Sequence, residues 1–141
     1  MTEQNELEQL IEKSFTFQKM IFTGLGIVTG LTGVAILLLS MFIPPKPGEE
    51  NIVLGLQVTS VIFVVFAVWF PYFINNRLKQ VKNLIFKTPE QIAEVKAFTV
   101  SKNGIPGFAV RIISKNKKMI GFNVTGPKTQ ARIVDLIKKA L

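Results

Sequence analysis

The chain has 141 residues, 48% of them hydrophobic, a mean hydropathy of +0.38 and a formal net charge of +8. It contains no Cys and no His. That removes a disulfide framework, a thiolate nucleophile, a zinc-ribbon site, a Ser-His-Asp triad and an HExxH metal centre. The charge is partitioned: residues 1–19 are net −2, residues 44–51 net −1, and residues 76–141 carry fourteen cations against three acids, net +11.

Residues 1–19 form an N-terminal segment. Within it, Leu7, Leu10, Ile11 and Phe15 follow helical spacing and predict a short amphipathic helix over 2–15, capped by Thr2 or Asn5. Its glutamates oppose the cations at the other end of the chain. The acidic face is therefore expected to lie against the basic C-terminal part, in the same chain or a neighbour.

Two uncharged stretches follow. Met20 to Ile43 spans 24 residues and Ile52 to Ile74 spans 23. About 20 helical residues cross a hydrocarbon core, so transmembrane helices are expected over 20–43 and 52–75. The eight residues 44–51, rich in Pro and Gly, permit only a tight antiparallel hairpin and form an external loop. Trp69 and Tyr72 near the end of the second span suit a membrane interface, and Pro71 is expected to kink it. Lys13 and Lys19 precede the first span, and Arg77, Lys79, Lys82 and Lys87 follow the second, against Lys46 alone in the loop. The positive-inside rule then puts both termini in the cytoplasm.

Gly26 and Gly30 form a GxxxG, Thr29 and Gly33 repeat its spacing, and Gly55 with Thr59 does so in the second span. Small residues allow close helix approach, within the hairpin or between subunits of a homo-oligomer. Gln57 is the polar residue most costly to leave facing lipid, and is expected to bond to a neighbouring helix. Neither span carries an ionisable residue, which argues against a proton relay or a voltage sensor.

Residues 76–88 suit a basic juxtamembrane helix, with Leu78, Val81 and Ile85 on one face and Lys79 and Lys82 flanking it. It is expected to rest on anionic headgroups. Residues 89–141 change period. Three strands are expected around Val95–Val100, Phe108–Ile113 and Met119–Val124, separated by a loop over 102–107 and a tight turn at 115–117. A helix begins at Pro127 after Thr125 or Gly126 as cap, with Ile133, Leu136, Ile137 and Ala140 as its apolar stripe. The fold class expected is thus an α-helical transmembrane hairpin plus a small cytoplasmic α+β domain, β-β-β-α. At roughly 50 residues that domain is near the lower limit for an independent core. It should pair with copies of itself or pack on the membrane-proximal helix.

The cations continue to the C-terminus, beyond the span ends where positive-inside bias concentrates. An anion site is therefore expected, drawn from Lys102, Asn103, Arg111, Lys115, Asn116, Lys117, Lys118, Thr125, Lys128 and Arg132. Thr125 to Thr129 open a helix, where backbone N–H groups favour anions. Lysines can hold phosphate and asparagines can read a base edge. Phe86, Phe98, Phe108 and Phe122 offer no evident stacking platform, so a small phosphorylated ligand is favoured over long nucleic acid. No catalytic residue, metal site or cofactor is expected. Asp135, Glu90 and Glu94 make no acid–base pair.

The strand-strand-strand-helix ending over residues 94–141 looks like the last part of bacterial PH-like domains attached to paired spans. In layout (two spans, a small basic C-terminal domain, no catalytic residues) the whole chain resembles the CRISPR type III membrane effectors that answer cyclic oligoadenylates. That resemblance implies an oligomeric effector of the bacterial inner membrane, whose domain binds a cyclic oligonucleotide and perturbs the bilayer in antiviral defence. The other class to weigh is a non-enzymatic adaptor or structural protein whose basic domain binds anionic lipid or a protein partner. A C-terminal reporter should be protected from external protease in intact cells; cleavage there would reverse the orientation.

Overall fold

The computed structural model describes residues 2–141. Helix α1 runs Glu3–Phe42 and helix α2 runs Glu50–Lys82. A π turn (Asn83–Lys87) and a 3-10 turn (Pro89–Gln91) lead into strands β1 (Ile92–Lys102), β2 (Ile105–Ser114) and β3 (Met119–Val124), and helix α3 (Pro127–Ala140) closes the chain. The molecule divides into two compact units, one of residues 19–75 and one of residues 1–18 with 76–141.

The amphipathic N-terminal stretch is not a separate helix. It continues without a break into the first apolar segment, because residues 13–24 contain no Pro and no Gly before Gly24. The second apolar segment likewise runs through Asn75 to Lys82. Pro71 sits inside it and does not end it. Two helices are long and apolar enough to cross a membrane, and only 11% and 6% of their apolar windows are buried within the chain. They are therefore not the core helices of a globular fold, whose surfaces are hidden all round.

In the unit of residues 19–75, glycines set the approach of the two helices. A Cβ on Gly26 would lie 2.8 Å from the carbonyl oxygen of Ala67, and one on Gly33 2.8 Å from that of Ser60. A Cβ on Gly30 would lie 3.1 Å from the Ala67 side chain. The GxxxG thus packs the hairpin within the chain. Gly55 faces open space and takes no part. Gln57, expected to bond to a neighbouring helix, is half-exposed and makes no side-chain hydrogen bond among the described residues. The hydroxyls return to their own helices: Thr29 to Leu25, Thr32 to Val28, Thr59 to Gly55 and Ser60 to Gln57. Each of these hydroxyls is satisfied within its own helix, as suits an apolar environment. Phe22 meets Phe70 edge-on at 5.8 Å.

The other unit is built on a three-stranded antiparallel sheet in the order β1-β2-β3. Register pairs Val95 with Ile112 and Val110 with Phe122, so these residues share one face, and all are buried. Ile92 is buried as well, three residues before Val95 rather than two. The bulge between Ile92 and Glu94 inserts the extra residue that turns both inward. Over this face lie Ile133, Leu136 and Ile137 of α3, Leu7, Ile11 and Phe15 of α1, and Val81, Leu84 and Ile85 at and beyond the end of α2, all buried. Each contributes roughly 1.5–3 kcal/mol by leaving water. The Val81–Ile85 face, expected on lipid headgroups, is instead part of this core. The small domain is completed by the N-terminal stretch and the juxtamembrane helix.

The expected loop over residues 102–107 shrinks to two residues. Asn103 and Gly104 both have positive φ, 54° and 76°, the requirement of a type I′ turn. Ile105 to Gly107 are already strand.

Three substitutions test this packing. Phe15→Ala should destabilise the protein by about 3–5 kcal/mol, read as an earlier thermal unfolding transition in detergent. Gly33→Leu should disrupt the hairpin whereas Gly55→Leu leaves the transition unchanged.

Candidate anion-binding surface

The ten residues expected to hold an anion do not converge. Lys102 and Asn103 stand at one end of the β1–β2 hairpin, and Lys115 to Lys118 follow the other end of β2. Nine strand steps, about 30 Å, separate them. Thr125 and Lys128 lie beside the first of these ends, where β3 passes into α3.

Both asparagines have structural duties. Asn103 supplies the first left-handed residue of the I′ turn. Asn116 Oδ1 accepts from Ser114 Oγ and from the Lys118 amide, the latter at 3.2 Å. The Ser114 amide donates to the Lys118 carbonyl at 2.9 Å, and the Lys115 amide to Gln91 O at 2.8 Å. This Asx-type arrangement holds the turn with Lys117 at φ 63°, so the Asn116 carbonyl oxygen is already engaged within the turn. Gly126, not Thr125, is the cap residue of α3, without a side-chain cap bond.

Two arginines are also engaged. Arg111 projects from the sheet face opposite the core, with its guanidinium 3.4 Å from the centroid of the Phe98 ring, a cation–π contact. Arg132, expected to bind ligand, is clamped by Glu6: Nε donates to Oε1 at 2.8 Å and Nη2 to Oε2 at 2.7 Å. This bidentate pairing removes Arg132 from the anion set. It also answers where the N-terminal acids go. Lys82 bridges Glu8 at 2.7 Å and Glu12 at 2.6 Å, and Lys139 reaches Glu3 at 3.6 Å and Asp135 at 3.3 Å. Glu94 pairs with Lys96 at 2.9 Å. The acidic strip lies against the basic part of its own chain.

What remains of the expected set is basic. Among the described residues, Lys102, Lys115, Lys117, Lys118 and Lys128 enter no ion pair, and all five are exposed. Three of them occupy one tight turn, whose backbone is fixed by the hydrogen bonds above.

Three polar residues outside the expected anion set hold this surface in place. Gln130, buried on α3, donates from Nε2 to Phe98 O at 3.0 Å and Ala109 O at 2.7 Å, pinning the helix across β1 and β2. Its spacing from Ile133 and Ile137, on the apolar stripe, was the available signal. Arg77 Nη2 donates to Gly121 O at 2.7 Å and Gln18 Nε2 to Asn123 O at 3.3 Å. These side chains occupy carbonyls of β3, an edge strand whose unpaired groups would otherwise invite another chain. Nothing in the local sequence marks them.

No family model, curated protein or solved structure matches the chain.

The ion pairs set a pH dependence. The hydrogen bonds and charge of Arg132 hold the Glu6 carboxyl below its ordinary value of 4.5. A depressed folded pKa stabilises above the unfolded value and is lost as pH falls through the folded one. Wild-type protein should therefore lose thermal stability below about pH 4.5, and Glu6→Gln should be less stable at neutral pH with a flatter acid limb. Hydrogen bonds that the Lys82 ammonium donates to Glu12 and Glu8 raise its pKa above the ordinary value of 10.5. That contribution is present below this value and fades at higher pH.

Proposed function

We propose that the chain is a two-pass protein of the bacterial inner membrane, both termini cytoplasmic, that works by binding rather than by catalysis. Its basic domain engages a phosphate-bearing partner through the turn at Lys115, Lys117 and Lys118. One observation carries this reading: the four N-terminal glutamates of the unit are consumed in holding α1 to α2 and α3, while those three lysines stay unpaired on a backbone of fixed shape. A rigid, one-signed projection recognises anions with little ordering cost. Chemistry has no comparable support, since most carboxylates of the unit are salt-bridged and the chain lacks His and Cys.

A second reading keeps the oligomeric effector that answers a cyclic oligonucleotide and permeabilises the bilayer. Gly55, with open space before it, and the half-exposed Gln57 favour it, as residues left over for contact between copies. A ligand would then sit between subunits, because the cations of one chain do not converge.

Titration of full-length protein in nanodiscs with inorganic tripolyphosphate and with a cyclic oligoadenylate separates the readings. A turn-centred site predicts salt-sensitive binding of tripolyphosphate. Replacing Lys115, Lys117 and Lys118 by Gln should weaken it tenfold or more, since a hydrogen bond to a charged group contributes about 1.5–3 kcal/mol. Binding unaltered by that triple substitution would overturn the turn-centred site. Tight, selective capture of the cyclic oligoadenylate by a multimer supports the effector. A monomeric mass in light scattering eliminates it, because two helices cannot enclose a pore.

A further inference from the structure

The β1–β2 hairpin outruns the third strand. Phe108↔Val124 is the last pair between β2 and β3, yet Val100↔Gly107, Ser101↔Pro106 and Lys102↔Ile105 continue between β1 and β2. At about 3.3 Å per residue, the tip projects roughly 10 Å past the sheet. Every residue from Thr99 to Gly107 is exposed. An Asn-Gly turn needs no apolar neighbours to form in water, but this one carries Val100 at 46% and Ile105 at 73% exposure, with Pro106 between the strands' ends. Register puts Val100, Lys102 and Ile105 on one face, the face opposite the buried one.

Two observations say what meets this tip. First, contacts within the unit follow an order along α1. Glu3 meets Lys139 and Glu6 meets Arg132 on α3, Phe15 stacks on Phe122, and Gln18 reaches Asn123. The tip therefore projects from the end of the unit at which Gln18 gives way to the uncharged stretch 20–43. Second, residues 95–134 contain no acid, so Lys102 and Lys128 at this end face no carboxylate from the strands or from the first two turns of α3.

We infer that the Val100–Gly107 tip is a foot on an anionic lipid surface, with Val100 and Ile105 entering the headgroup boundary and the Lys102 ammonium at the lipid phosphates. A lysine stem lies along apolar surface while its head stays at phosphate level, and an apolar patch beside basic residues is the composition that binds an anionic interface. A soluble acidic partner would match the charge and leave the exposed Ile105 unexplained. The inference rests on the helices crossing a bilayer.

The chain has no native Cys, so a single probe can be placed at will. Full-length Ile105→Cys, labelled with an NBD fluorophore, is reconstituted in phosphatidylcholine liposomes with or without phosphatidylglycerol and read by quenching from nitroxide-labelled lipid. Glu90→Cys, exposed at the other end of the sheet, is the reference. The expected result is strong quenching at 105 that increases with phosphatidylglycerol, and little at 90. Lys102→Glu in the labelled background changes two charges and should lower the embedded population roughly tenfold or more. Equal quenching at the two positions, in protein that resists carbonate extraction, overturns the foot and leaves the spans standing. Extraction by carbonate fails the spans themselves. Lipid-independent shielding of position 105, with disulfide cross-links between unlabelled Ile105→Cys copies, assigns the tip to a second copy and overturns the foot as well.

Discussion

A three-stranded sheet must cover one face to be stable in water, and residues 89–141 alone bring only α3 to that task. The remaining cover comes from the two ends of the apolar hairpin, the first turns of α1 and the last turns of α2 with their π turn. Much else follows. Because Leu7, Ile11 and Phe15 are core residues, the glutamates between and beside them are carried to the cations of α2 and α3, and pair with Lys82, Arg132 and Lys139. Because those acids are used inside the unit, its outer surface is left predominantly basic. The basic surface is thus a by-product of how the core is closed.

The same economy of partners governs the uncharged segments. Their hydroxyls bond to their own helices, and their closest approach uses backbone at Gly26 and Gly33. An antiparallel pair packed through small residues needs no polar glue, which suits a medium in which apolar side chains gain nothing by meeting one another. That leaves Gly55 and Gln57 outside the internal packing.

Within the basic unit, the two ends of the sheet differ in character. One is a lysine-rich turn with a backbone locked by Ser114 and Asn116, suited to a phosphate-bearing partner. The other is a projecting hairpin in which apolar residues flank a lysine, suited to a lipid boundary. About 30 Å of strand keeps the two apart, so the proposed binding activities do not compete for the same residues.

The sequence alone determined what local chemistry decides. Two charge-free runs of more than 20 residues, a period-two stretch ended by Asn-Gly, and Gly126-Pro127 before a helical stripe are signals that reside in neighbouring residues. The strands and the last helix are present with boundaries shifted by a few positions, and the two charge-free runs lie within longer helices, Glu3–Phe42 and Glu50–Lys82; the loop expected at 102–107 is shorter because Asn-Gly closes a hairpin in two residues. Only the tertiary structure decided which residues are free. Arg132 and Asn116 looked like ligand contacts because a sequence lists polar residues without their partners; Glu6 lies 126 positions from Arg132, and long-range pairing leaves no trace in spacing. Val81 and Ile85 looked like a membrane-resting face for the same reason: an amphipathic stripe states that one side must leave water, and only the fold says whether lipid or a sheet receives it.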